Sequence, residues 1–445
     1  MSSGSNLQNI STIDGRYKDK TETLSKYFSE YALIKKRIFV ELEYLKFLSS
    51  KEIVPKCSTS EITKVNKIFD KFDLDEAKKV KKLEAEINHD VKAIEYYLRA
   101  EFKKNKLQKL SPFIHIGLTS SDTNNIAQAL LLKEFHKEVL DSELSQIISL
   151  IRKLSVKYAD SPFLARTHGQ PAVPTTFGKE FKNYEERLKK QQIKLKKFEF
   201  EAKLNGAVGN YNALNAIFPN VNWVEFSKNF LGSLGLNTNL FTTQILPYDN
   251  IIEFFQTIFI VNGILIDLVS DIWLYNMLGL VSLQKSKKQV GSSTMPQKIN
   301  PIEFENAEGN LKLSNAMISF YQEKLLSSRL QRDLSDSTIS RTFGTTLTHT
   351  ILAWKNIIKG LNLIKFEDKI ALIELDNHWE VLSEAIQTYL KSKGDEKGFE
   401  KIKKTVYGKK LTKEMYLKLI ADKILIRLEP KKYIGLASNL AKKTK

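Results

Sequence analysis

Proline is absent from residues 175 to 218 and again from 302 to 429, and no other feature of the chain restricts its fold so strongly. Proline removes a backbone donor and clashes with the preceding turn, so long proline-free stretches leave room for long helices. Apolar residues recur there at helical spacing. From Leu144 they run Ile147, Ile148, Ile151, Leu154 and Tyr158, and from Phe181 they run Tyr184, Leu188, Leu195 and Phe198, at intervals of three, four and seven. Such stripes pack one long helix on another. No sustained alternation of period two, no βαβ rhythm and no G-x-G-x-x-G is present, which argues against a dinucleotide-binding sheet. The predicted class is all-α, with one helix over about Asn125 to Tyr158 and another over about Gly178 to Leu204. Three helical domains are expected: 1–110, a central bundle of long helices over 111–363, and a small basic domain over 364–445.

At 445 residues and 42% hydrophobic, the chain can bury a large core. Its single cysteine, Cys57, excludes a disulfide framework and a cysteine-based zinc site. The formal charge of +18 raises the question of nucleic acid. The lysines, however, alternate with acids in stretches such as EFKNYEERLKKQQIKLKKFEF, and no RNP, zinc-finger or basic-zipper pattern accompanies them, so a solvated face is expected and no nucleic-acid partner. A positive field still draws in a small polyanionic substrate. The most apolar segment is 251–280, whose longest uncharged run, Phe254 to Ile266, falls short of the ~20 residues a membrane span needs. It reads as a buried helix, with no membrane partner. No apolar N-terminal stretch resembles a signal peptide, and the expected compartment is the cytoplasm.

Polar loops carry the chemistry. They include IDGRY (13–17), INHDVKAIEYYL (87–98), GLTSSDTNN (117–125), ARTHGQPAVPTTFGKE (165–180), TTQILPYD (242–249), GSSTMPQKINPIEFENAEGN (291–310) and SSRLQRDLSDSTISR (327–341). GSSTMPQKINP resembles the signature loop of the fumarase/aspartase superfamily, G-S-S-x-M-P-x-K-x-N-P, at every fixed position. RTHGQPA with PTTFGK, NHDVKAIEYYL, LNGAVGNYNA and QRDLSDST together resemble its adenylosuccinate lyase branch, in the long bacterial form, from Asp14 to about Trp379. Gln297 stands where that branch commonly has His, a spelling more usual in argininosuccinate lyases, which supply the alternative reading.

The resemblance implies release of fumarate from adenylosuccinate and from the succinylated aminoimidazole carboxamide ribotide of purine synthesis. Such a β-elimination needs a base for a weakly acidic C–H, stabilisation of the dianion that forms, and an acid for the departing nitrogen; it needs no metal or redox cofactor. His168 suits the acid, because imidazole titrates near neutral pH and Gly169 leaves it sterically open. Ser292 stands at the position the family uses as base. A serine must act there as an alkoxide, stabilised by backbone N–H groups and by positive charge from Lys298, six residues on. Asn300 is placed to donate to a substrate carboxylate. The resemblance further assigns substrate binding to Arg16, Tyr17, Asn88, His89, Asp90, Thr119, Ser120, Gln244, Arg332, Ser337 and Arg341. Guanidinium groups bind phosphate and carboxylate bidentately, which fits a substrate bearing one phosphate and two carboxylates. His115, His136, His349 and His378 read as structural.

Helix arithmetic bears on assembly. A helix from Asn125 to Tyr158 rises ~1.5 Å per residue and spans roughly 50 Å, so Thr119 and His168 at its two ends cannot share one site within a subunit. Loops from different subunits would have to meet. A homotetramer with shared active sites satisfies this, and the resemblance implies the same assembly.

Overall fold

The computed structural model describes residues 5–284, 294–420 and 422–443. Ser292 lies outside the described residues. The fold is all-α with three short two-stranded sheets among the described residues. It divides into two compact units. The first comprises Met1–Ser142, Lys194–Phe259 and Leu313–Leu352, and the second Glu143–Ile193, Ile260–Lys312 and Ala353–Lys445.

In the first unit, the helix Glu30–Ser50 is started by Ser29, whose side chain accepts the Ala32 N–H. Its apolar stripe, Ile34, Ile38, Leu42, Leu45 and Leu48, is buried, and Arg37 and Glu41 are buried on the same side. The helix Leu74–Ile87 ends at Asn88, whose φ of 54° is left-handed, and His89 then caps Asp90–Lys104. Asparagine tolerates the left-handed region better than most residues, which makes this a sharp junction between two helices.

The predicted helix at 125–158 is present and begins earlier, at Ser120. It runs as Ser120–Phe135, a π-helical turn His136–Leu140, and Asp141–Lys157. The second predicted helix is shorter than expected. It covers Phe177–Lys196, after which Glu201–Ala202 pairs in parallel with Asn237–Thr238.

The segment 162–176 corrects the expectation of a loop. In the second unit Pro162–Thr167 and Gln170–Thr176 form an antiparallel hairpin, irregular between Leu164 and Arg166. Pro171 and Pro174 cannot donate to a ladder, and a two-stranded hairpin tolerates them because each strand is an edge. Aromatic rings seat its base: Phe177 stacks on Phe366 with centroids 4.4 Å apart, and Phe163 meets both edge-on. Arg166 pairs with Glu374 beside the strand.

The helix Asp249–Met277 is long and apolar enough to cross a membrane by length and composition, yet 56% of its most apolar window is buried within the structure. Asn262 on it is fully buried and accepts a hydrogen bond from Trp354 Nε1 at 3.1 Å, and Asp267 pairs with Arg187 at 2.6 Å. The buried Asn262–Trp354 bond is a feature of a core helix, as the sequence suggested, while the Asp267–Arg187 pair lies at the surface. The C-terminal segment folds as short helices around Leu375, Trp379, Leu382, Ile386 and Tyr416.

Candidate active site

The first unit holds a cavity of about 50 Å³, and three of the predicted binding residues, Arg332, Ser337 and Arg341, are among those that line it. Ser121, Asn124 and Arg37, which the sequence reading did not name, line it too. The hydroxyl segment is fixed from below. Thr119 donates its N–H to Asp122 Oδ2 at 2.9 Å, and Ser120 opens the helix. The same Asp122 accepts from Lys203 Nζ at 2.8 Å and from the Asn205 N–H at 3.2 Å, and both side chains of the ion pair are wholly buried. Asn125 locks the arrangement by accepting the Lys203 N–H at 2.8 Å and donating to the Lys203 carbonyl at 3.1 Å. Burial lowers the Lys203 pKa, and the attraction of Asp122 opposes that shift.

Asp90 is the partner of two guanidinium groups. Arg37 reaches its Oδ2 at 2.8 Å and Arg341 stands at 3.9 Å from the same oxygen. Burial is the largest influence and disfavours the Asp90 carboxylate, but the charge and hydrogen bond of Arg37 together with the Val91 N–H outweigh it and hold the group below the ordinary carboxyl range. His89 is exposed, and its Nδ1 accepts the Lys92 N–H at 3.2 Å, a capping role that leaves the proton of the neutral ring on Nε2.

Gln244 lies one residue before Ile245, a lining residue, and its neighbour Thr243 donates to the Gln331 carbonyl at 2.8 Å, tying this strip to Arg332. Arg332 Nε and Asp336 Oδ1 stand 3.5 Å apart, buried and without a hydrogen bond. An ion pair this loose keeps the guanidinium available to an anion. Arg16 is exposed and Tyr17 half-buried before the short helix Lys18–Thr21, and neither lines the cavity.

The second unit holds His168, Lys298 and Asn300. His168 and Gly169 form the two-residue turn of the hairpin, with φ of 53° and 73°. Left-handed φ at both positions is the type I′ geometry that matches strand twist, and it presents the exposed imidazole at the tip. Lys298 is exposed, with its N–H on the Met295 carbonyl at 3.1 Å, and Asn300 is half-buried just before the helix Ile302–Leu325.

The sequence matches a family model described as lyase over residues 15–317, and one described as adenylosuccinate lyase C-terminal over residues 328–434. It is 43% identical to the adenylosuccinate lyase of Escherichia coli (strain K12), over 92% of this chain and 91% of that protein. The adenylosuccinate lyase of Legionella pneumophila (strain Corby) is 42% identical over 98% of both chains. The chain belongs to the adenylosuccinate lyase family. Its fold is shared more widely. A fumarate lyase from Mesorhizobium sp. BNC1 superposes with a TM-score of 0.76 at 16% identity, covering 95% of this chain and 96% of that one. A 3-carboxy-cis,cis-muconate lactonizing enzyme from Pseudomonas putida gives 0.77 at 18%, covering 94% and 95%.

Within this family the residues missed by the sequence reading are instructive. Arg37 and Glu41 interrupt the apolar stripe Ile34, Ile38, Leu42, one helical turn apart. A charged pair on a core face is the signal that could have found them, because buried charge is retained only where it is paired. Glu41 accepts from Thr123 Oγ1 at 2.7 Å and bonds His115 Nδ1 at 2.8 Å. His115, read from the sequence as structural, is anchored at Glu41 by this bond.

Proposed function

We propose that the protein cleaves adenylosuccinate to AMP and fumarate, and releases fumarate likewise from the succinylated aminoimidazole carboxamide ribotide, within purine biosynthesis. Identity of 42% to adenylosuccinate lyases over nearly the whole chain carries the reading. The cavity lined by Arg332, Arg341 and Ser337 supports it, since guanidinium and hydroxyl donors suit a phosphate. In this mechanism Ser292 takes the carbon-bound proton, Lys298 and Asn300 meet the negative charge that gathers on the succinyl carboxylates, and His168 returns a proton to the departing nitrogen. Arg16, Tyr17, Asn88, His89, Asp90, Thr119, Ser120 and Gln244 complete the binding set.

The assembly belongs to the same proposal: a cytoplasmic homotetramer whose sites draw on several chains, with 1–110, 111–363 and 364–445 as its domains. The exposed apolar residues of the helix Asp249–Met277, among them Ile260, Trp273, Leu274 and Met277, suit a shared bundle. An ultraviolet assay of fumarate release with adenylosuccinate, the succinylated ribotide and argininosuccinate tests the reaction. Turnover of the first two is expected. Turnover of argininosuccinate alone would overturn the substrate assignment.

A further inference from the structure

Arg37 is the least expected charge in the first unit. Its side chain is only 5% exposed, on the core face of the helix Glu30–Ser50, and it joins two segments distant in sequence. Nε donates to Asn124 Oδ1 at 2.7 Å and a terminal nitrogen donates to Asp90 Oδ2 at 2.8 Å. Asp90 opens the helix Asp90–Lys104, and Asn124 is the fifth residue of the helix Ser120–Phe135; both helices carry predicted binding residues at their starts. The planar fork fixes the two helix ends at once, which a lysine cannot do.

The geometry around Asp90 adds a second consequence. Oδ1 already accepts the Val91 N–H at 2.8 Å, so Oδ2 is the oxygen contested between Arg37 and Arg341. With Arg37 at hydrogen-bond distance and Arg341 at 3.9 Å, the carboxylate is satisfied by the buried guanidinium. Arg341, 60% exposed at the cavity, keeps its donors for a ligand. Without Arg37 the nearest unneutralised partner of Oδ2 is Arg341, and an attraction at that range in a partly buried site closes it into a tight pair.

We infer that Arg37 is a positioning residue for phosphate recognition: it holds Asp90 and Asn124 in place and keeps Arg341 free for the ligand anion. The inference rests on the nucleotide reading of the cavity and is tested by binding rather than turnover. Titration calorimetry with AMP should show Arg37→Met weakening affinity about tenfold or more, with kcat at saturating substrate changed by less than about threefold. Arg37→Lys, which keeps the charge but loses the fork, should fall between; it also supplies the measurement if the methionine variant does not fold. Adding Asp90→Asn to Arg37→Met should restore part of the AMP affinity, because a neutral amide does not capture Arg341. AMP affinity within twofold of wild type in folded Arg37→Met, simple additivity in the double variant, or a wild-type protein that binds no AMP would each overturn the inference. A wild-type protein that binds AMP yet releases no fumarate would overturn the proposed reaction instead.

Discussion

Replacing Lys203 by methionine tests how the hydroxyl segment is held. Lys203 and Asp122 are wholly buried, and the ammonium also donates to the Gly206 carbonyl at 3.0 Å. Methionine fills similar volume, so the cost is electrostatic rather than a cavity. Asp122 would keep the N–H groups of Thr119 and Asn205 but lose its buried counter-charge. Removing one partner of a buried pair typically costs about 3–5 kcal/mol, because the remaining charge stays desolvated. For a cooperative unit of about 150–250 residues, each kcal/mol lowers the midpoint by roughly 2–4 °C, so Lys203→Met should melt roughly 6–20 °C below wild type. The double variant Asp122→Asn/Lys203→Met should recover part of that loss, since no unpaired charge remains. Melting followed by circular dichroism on both variants and on wild type reads the result. A single variant within about 2 °C of wild type, or a double variant less stable than Lys203→Met, would refute the argument that charge pairing rather than shape holds this junction.

Two further outcomes follow from the geometry. Ser292→Ala and His168→Ala should each lower kcat by at least about a hundredfold with circular dichroism unchanged, and mixing the two inactive proteins under conditions of subunit exchange should restore part of the activity. Exchange confirmed by mass with no activity regained would exclude shared sites. Burial is the largest influence on the His115 pKa and lowers it, but the hydrogen bond to Glu41 and the charges of Glu41, Glu95 and Asp122 together outweigh it, for a net rise. The folded state therefore holds the proton more tightly than the unfolded chain, so this contribution is full below pH ~6.5 and is lost as pH rises through the elevated folded value. Between pH 6 and 8.5 the melting midpoint of His115→Gln should fall less than that of wild type; equal slopes would show that the Glu41 contact does not bind a proton on folding.

Local pattern carried the helical class and marked the loops that the proposed site draws on. Proline spacing left long helices at 177–196, 302–325 and 343–361, and the stripe from Leu144 to Tyr158 is buried where its period placed it. These features depend on residues three and four apart, which any sequence displays directly. The motif loops were likewise legible, because catalytic chemistry demands particular side chains in fixed local order. Tertiary structure decided the rest. Pro171 and Pro174 disguised a hairpin as a loop, and only its packing under Phe177 and Phe366 made two edge strands of it, with His168 at the turn. Arg37 and Asp90 are 53 residues apart in the chain, Asp122 and Lys203 81, and Thr243 and Gln331 88. Nothing in the local period announces such partners. Each buried charge in the sequence states that it must be paired, and only the closed core determines with what.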